Sequence, residues 1–268
     1  MRLTRHNGRA GKHGTYNPKH NDRSFDLENS EHINAELAKK NVYWDCYNGF
    51  RSLAKEELLA DTFEEVEEMF YSSQYRNHVE SQNQRNEKNR HPERNRTTSD
   101  LLKNKKTAPE ETIFQIGTID NHVPPEILLQ VVTDFLVELD TRFGKNVHIL
   151  DWALHLDEGT PHIHERHVFD CENSYGEVAP QQEKALEELG FELPDPTQKP
   201  SKINNRKKTF DSVCRVILFN ITKKYGLDLE EEPEYGGRAY LEKQDYILMK
   251  QKQQMEQQEK KLEELTVK

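Results

Sequence analysis

Asp151-Trp152-Ala153-Leu154-His155-Leu156-Asp157-Glu158-Gly159-Thr160-Pro161-His162-Ile163-His164 is the stretch on which the architecture turns. Residues 147–154 are β-branched, aromatic and apolar, so they read as a buried strand that ends at His155. Residues 157–161, with Gly159 and Pro161, carry turn chemistry. A second strand opens at His162, and period two places His162 and His164 on one face with Ile163 on the other. A tight turn between antiparallel neighbours brings His155 beside that pair, so three imidazoles converge. Three neutral imidazoles can hold a divalent cation at about 2.0–2.2 Å and leave positions open to an incoming oxygen. A bare His-x-His is common in half-exposed strands; the third histidine, across an acidic Gly/Pro turn, is what favours ligands. Asp157 and Glu158 have two readings, as carboxylates that hydrogen-bond the outer imidazole nitrogens or as solvated turn residues.

At 268 residues the chain is long enough for one sizeable domain with appendages. It is 33% hydrophobic and 32% charged, with a mean hydropathy of -1.01, so part of it must be solvated helix or flexible chain. Cys46, Cys171 and Cys214 form no C-x-x-C pair and no even framework, which fits a reducing compartment and buried packing roles. No apolar run follows the basic N-terminus, and no stretch is long and apolar enough for a membrane span. The expectation is a cytoplasmic protein with no membrane segment.

The formal net charge of -10 argues against a nucleic-acid partner only if charge is spread evenly. It is not. Acid gathers in residues 56–68 and 228–234, and base in 2–23, 85–106 and 199–208, so one positive surface can coexist with an acidic remainder.

Residues 1–25 read either as a disordered basic arm or as an ordered loop that delivers His20, with residues 2–9 as a first short strand. Residues 51–80 carry Leu53, Leu58, Leu59, Phe63, Val66, Met69, Phe70 and Tyr71 at helical spacing among many Glu, the pattern of an amphipathic helix. From Ser81 apolar residues vanish, which predicts an exposed helix end running into a mobile basic segment over about 81–111. That segment is either a DNA-contacting arm or a solvated connection. Residues 112–117 read as a strand, residues 124–143 as a helix opened by prolines, residues 179–189 as a helix stopped by Gly190, and 208–225 as a helix stopped by Gly226. Antiparallel strands with helices between them point to an α+β architecture. The expected domain is 1–226, followed over 227–268 by an acidic linker and a long C-terminal helix. There Leu241, Leu248, Met255 and Leu262 recur every seven residues, a weak coiled coil that would pair two copies of the chain, or a single solvated helix.

Two motifs together carry a resemblance. Residues 155–164 resemble the metal motif of the MobV/Pre plasmid mobilisation relaxases of the HUH endonuclease superfamily, and Lys19-His20-Asn21-Asp22-Arg23 resembles their N-terminal motif. Ile33-Asn34 and Asn41-Val42-Tyr43 follow the same pattern, and the likeness spans roughly residues 12–225. What it implies is an HUH relaxase-like antiparallel sheet with helices packed on it. The implied activity is site-specific nicking and strand transfer on single-stranded or hairpin DNA at a transfer origin. It maps the metal ligands onto His155, His162 and His164, for Mn²⁺ or Mg²⁺. The covalent nucleophile maps onto His20 and the motif arginine onto Arg23, which would donate to a phosphate. Glu158 joins them as a catalytic candidate, and Lys19, Asn21, Arg166, Lys207 and Lys208 are candidate DNA contacts.

On spacing alone His20 is one more solvated histidine beside His6, His13 and His32. Tyr43 and Tyr47 are rival nucleophiles, and they would make the chain a rolling-circle initiator or transposase of the same superfamily. A third reading is a non-catalytic, coiled-coil DNA-binding or adaptor protein. One departure stands out: Glu165-Arg166-His167 follows His164 where the family continues with apolar residues. Glu165 and His167 would face the packed side, where an unpaired charge is costly, so they must pair or leave the strand.

Overall fold

The structure is a computed structural model, and it describes residues 1–8, 17–25, 33–51 and 61–230. The chain forms two units, one of Met1–Gly190 with Ile217–Glu231 and a second that includes Phe191–Val216.

The first unit is built on a seven-stranded sheet in the order β1-β4-β6-β5-β2-β3, with β7 beside β6. The strands are β1 (Leu3–Gly8), β2 (Val42–Asp45), β3 (Gly49–Phe50), β4 (Glu110–Ile116), β5 (Val147–His155), β6 (His162–Glu172) and β7 (Val178–Pro180), and all pairings are antiparallel. Helices cover the sheet, giving the expected α+β architecture. The central β5–β6 hairpin pairs His155 with His162, Leu154 with Ile163 and Ala153 with His164. Period two then sorts the side chains. Ile163 faces α6 (Pro125–Phe143) together with Phe114, whose ring lies 5.4 Å from Phe135. His162 and His164 share the opposite face with Val168. There Val168 and Leu150 pack under Tyr71, Tyr75, Val79 and Leu101 from α3 (Phe63–Gln74), α4 (Arg76–Lys88) and α5 (Thr98–Lys103).

The long acidic helix begins at Phe63, where Thr62 and Glu65 form a reciprocal capping box. Leu53, Leu58 and Leu59 lie outside the described residues. The expected mobile segment over 81–111 is instead regular structure. α4 continues to Lys88, a 3₁₀ turn spans Pro92–Arg94, a second capping box at Thr97 and Asp100 starts α5, and β4 opens at Glu110. The reason is that polar side chains tie the chain down where apolar ones are missing: Tyr71 Oη donates to Thr107 O at 2.5 Å and Thr107 Oγ1 to Leu101 O at 2.6 Å. The helix expected over 179–189 is shorter, α7 (Gln182–Glu188), because residues 178–180 join the sheet edge.

In the second unit the side chain of Asn204 bonds both the N–H and the C=O of Asp195, which folds residues 195–204 into a loop. It leads into α8 (Arg206–Lys224), after which Gly226 takes a positive φ of 73°. The heptad leucines and the homodimer they suggested lie outside the described residues. Among the described residues no helix is long and apolar enough to cross a membrane, and the three cysteines are free.

Candidate active site

Four histidines meet at the turn end of the β5–β6 hairpin. Ring centroids are 5.3 Å apart for His155–His162, 4.8 Å for His155–His164 and 4.9 Å for His162–His164. His20 comes from a different part of the chain, the single-turn α1 (Pro18–Asn21), and its ring lies 5.3 Å from His164 and 5.6 Å from His155. The side chain of Asn17 caps that turn, and at its other end Asp22 accepts the N–H of Phe63 at 2.7 Å, which fastens α1 to the start of α3.

Each ligand-candidate ring uses one nitrogen outward. His155 Nε2 meets Asn21 O at 2.8 Å, His162 Nδ1 meets Thr160 O at 2.8 Å, and His164 Nδ1 meets Glu111 Oε1 at 2.7 Å. A carbonyl or ionised carboxylate only accepts, so these nitrogens carry the protons and the tautomers follow. The remaining nitrogens hold lone pairs. His155 Nδ1 and His164 Nε2 are buried without a hydrogen-bond partner, and His162 Nε2 lies 3.7 Å from Glu158 Oε2. Leaving buried acceptors unmade is costly, and a cation is the partner that two such nitrogens fit. Two sets of ligand atoms lie within 4.8 Å of one another, His20 with His155 and His164, and His155 with Glu158 and His162. The three histidines expected as one ligand set thus fall into two overlapping groups that share His155 and draw in His20 and Glu158. Burial lowers the pKa of His155 and His162 and takes that of His20 down to about 4, with Arg23 adding to the fall at each, so these three imidazoles are neutral.

Arg23 locks the two motifs together. Its Nε donates to Asp157 Oδ2 at 2.8 Å, Nη2 to Asp157 Oδ1 at 2.8 Å and to Glu158 Oε1 at 2.7 Å, and Nη1 to His20 O at 2.8 Å with His20 Nε2 at 3.2 Å. The residue is buried and has a φ of 59°, a left-handed backbone that costs an L-residue roughly 1–2 kcal/mol. Those bonds hold it there. The expected donation from Arg23 to a DNA phosphate is therefore corrected, because its donors are already committed. Asp157 also takes Asn41 Nδ2 at 3.0 Å, and Asn41 Oδ1 accepts Leu156 N at 2.8 Å, which fixes the turn. Glu158 is the carboxylate that faces the histidines, with Oε1 3.5 Å from His20 Nε2 and 4.0 Å from His155 Nδ1. Burial raises its pKa, but His162, Arg23 and His20 together lower it further, so it is ionised.

No protein-family model matches this chain, and no curated protein matches it in sequence. Three solved structures resemble it. All are Mn-bound crystal structures of the MobM relaxase domain (MOBV; Mob_Pre) bound to plasmid pMV158 oriT DNA, two with a 22-nucleotide strand and one with the same strand and a 3′-thiophosphate. Identity is 14%, 14% and 13%, 87% of this chain is covered, 92%, 91% and 92% of those chains are covered, and the TM-scores are 0.48, 0.48 and 0.47.

Other expected site residues fall elsewhere. Asn21 is not a DNA contact but a buried strut: its carbonyl takes His155 and its Nδ2 donates to Glu111 Oε2 at 3.0 Å. Arg166 does lie on the His162/His164 face, yet it is 5% exposed and bonded to Glu67 and, at 3.2 Å, to Glu111, so it cannot reach a phosphate. Lys19 is exposed and pairs with Glu64 at 3.0 Å. Lys207 and Lys208 belong to the second unit, where Lys207 pairs with Asp211 at 2.5 Å and Lys208 is exposed. Neither tyrosine bonds to the cluster. Tyr43 Oη accepts Asn41 Nδ2 at 3.3 Å and burial raises its pKa, while Tyr47 Oη meets Ser73 Oγ at 3.3 Å.

Of the two sequence readings of Asp157 and Glu158, as partners of the outer imidazole nitrogens or as solvated turn residues, the structure gives neither: Glu111 and two backbone carbonyls take those nitrogens, and Arg23 takes both carboxylates. Glu111 is the residue that was missed. Its only signal was a pair of acids, Glu110-Glu111, ahead of the strand-like residues 112–117.

Proposed function

We propose that this chain is a metal-dependent DNA relaxase, which nicks and rejoins one strand at a plasmid or mobile-element transfer origin through a covalent 5′-phospho-enzyme. One observation carries this reading: buried imidazoles whose outer nitrogens are hydrogen-bonded leave their other nitrogens in two ligand groups that share His155, one with His20 and His164 and one with Glu158 and His162, and the His20 side chain is 32% exposed. A divalent cation, Mn²⁺ or Mg²⁺, held by His155 Nδ1, His162 Nε2 and His164 Nε2 would supply charge to a non-bridging oxygen of the scissile phosphate and make phosphorus more electrophilic.

The chain's own residues do the rest. His20 is neutral, so a ring lone pair can attack in line without a strong base once Arg23 Nη1, 3.2 Å from Nε2, releases it, whereas a tyrosine must first shed a proton with a pKa near 10. The N–P bond forms as the P–O3′ bond breaks. Arg23 Nη1 faces Nε2, so the ring proton sits on Nδ1 and must leave to solvent as the bond forms, while the departing 3′-oxygen takes up a proton. The product is a 5′-phosphohistidine with a free 3′-hydroxyl, and attack by that hydroxyl reverses the steps. Arg23 holds His20, Glu158 and the β5–β6 turn in register throughout.

The substrate in this reading is single-stranded or hairpin-extruded origin DNA, met in the cytoplasm, with exposed Lys19 and Lys208 as phosphate contacts. A nicking assay on supercoiled plasmid carrying the cognate origin is expected to show His20→Ala inactive. Mass spectrometry after reaction with a suicide oligonucleotide should find the 5′-phosphate on the His20 peptide; an adduct on Tyr43 or Tyr47 would sink the histidine mechanism.

A further inference from the structure

Between α4 and α5 the chain leaves the body of the first unit, and every residue from Glu87 to Thr97 is exposed. The excursion is nonetheless built. Asn83 clamps its base from both sides, Nδ2 donating to Arg96 O at 2.8 Å and Oδ1 accepting Arg96 N at 2.9 Å. His91 N reaches back to Asn86 O at 2.8 Å, and Arg90 turns the corner with a φ of 61°. One turn before the end of α4, Arg85 makes a fork to Glu177 at 2.6 and 2.9 Å and lies over the Tyr175 ring at 4.0 Å, which anchors the stem to the β6–β7 hairpin.

Its charges are sorted. Four cations, Lys88, Arg90, Arg94 and Arg96, stand against two carboxylates. Both carboxylates are engaged within the excursion, Glu87 by Asn95 Nδ2 at 3.1 Å and Glu93 by His91 Nδ1 at 3.0 Å and Arg94 at 3.8 Å. Among the described residues Lys88, Arg90 and Arg96 make no ion pair. On a chain with a net charge of -10, cations left outward on a preorganised turn are out of keeping with the rest of the surface. They suit an anionic partner. Residues 76–106 contain no Phe, Tyr or Trp, so the element offers no platform on which unpaired bases could stack, the usual device of single-strand binders. Backbone phosphate is what remains, and a duplex presents it most densely.

We propose that residues 87–97 form a sequence-independent clamp for duplex phosphates, which holds the double-stranded DNA adjoining the nick site. This deepens the relaxase reading and rests on it for the place of the duplex, but the contact is measurable without any nicking. The test uses the full chain with Lys88→Gln, Arg90→Asn and Arg96→Gln combined; Asn at position 90 tolerates the left-handed backbone. Binding to a random-sequence duplex and to oligo(dT) is followed by fluorescence anisotropy across a salt series. The slope of log K against log salt on duplex is expected to fall by about 2–3, since each lost phosphate contact removes roughly 0.9, with little change on oligo(dT). A control triple that removes the exposed cations Lys39, Lys40 and Lys145 should leave the duplex slope in place. An unchanged duplex slope in the clamp variant, an equal fall in the control, or a fall confined to oligo(dT) overturns the clamp. Nicking of origin plasmid by the wild-type chain reports separately on the relaxase reading, which can fail while the clamp stands.

Discussion

Strand β6 carries histidines on both of its faces, and the two faces treat them in opposite ways. On one, His162 and His164 each donate a single proton outward and keep an inward lone pair, with burial holding His162 neutral. On the other, His167 Nδ1 lies 3.0 Å from Glu165 and its Nε2 3.6 Å from Glu110, all three buried. Burial pulls the His167 pKa down, but the two carboxylates outweigh it and the pKa is raised. The same residue type is therefore a vacant donor on one face and a neutralised cation on the other. What decides is whether an imidazole meets one acceptor or is enclosed between two anions.

The largest effect expected is on the closed face. Glu165→Ala leaves a buried imidazolium short of its partner and should cost about 3–5 kcal/mol in urea unfolding, with Mn²⁺ affinity measured by calorimetry unmoved; a loss below about 1 kcal/mol would show that the pair is not a buried charge pair. On the open face, His164→Ala should weaken Mn²⁺ by more than the roughly 100-fold that loss of an outer partner can reach. Retention of affinity within a few-fold would dispose of the cation site. Glu111→Gln sharpens the contrast: it keeps the ring but spoils its support, and about 10- to 100-fold weaker Mn²⁺ binding is expected, along with slower nicking. The smallest effect is a pH dependence. Because the folded pKa of His167 is raised, the stability it contributes is full below about pH 6.5, the unfolded value, and is lost as pH rises through the folded value. The urea midpoint of the wild type should sag on the alkaline side, and in His167→Gln that sag should vanish.

The open face was legible in the sequence because its information is local. Period two and a Gly/Pro turn suffice to bring His155, His162 and His164 together, and the same periodicity put Glu165 and His167 on the packed side, where they do pair. Glu111 was not legible, since it reaches His164 across a separation of 53 residues and its strand pairing is a tertiary fact. Arg166 and Asn21 misled for a related reason: a charged or polar residue in a motif looks like a surface contact until Glu67 and Glu111 are seen beside it. The basic stretch after Ser81 misled in the opposite sense. With no apolar periodicity it read as mobile, whereas caps and side-chain clamps order it.

The direct opposition of His155 and His162 across the hairpin makes the site intolerant of frame errors. A one-residue slip of β6 against β5 would turn its side chains over, sending both of its donor rings beneath α6 and delivering Ile163, Glu165 and His167 to the histidine side in their place. Length variation in this hairpin should thus be neutral only outside the strands, and a relative with an odd insertion there would be an inert copy however well its histidines were kept.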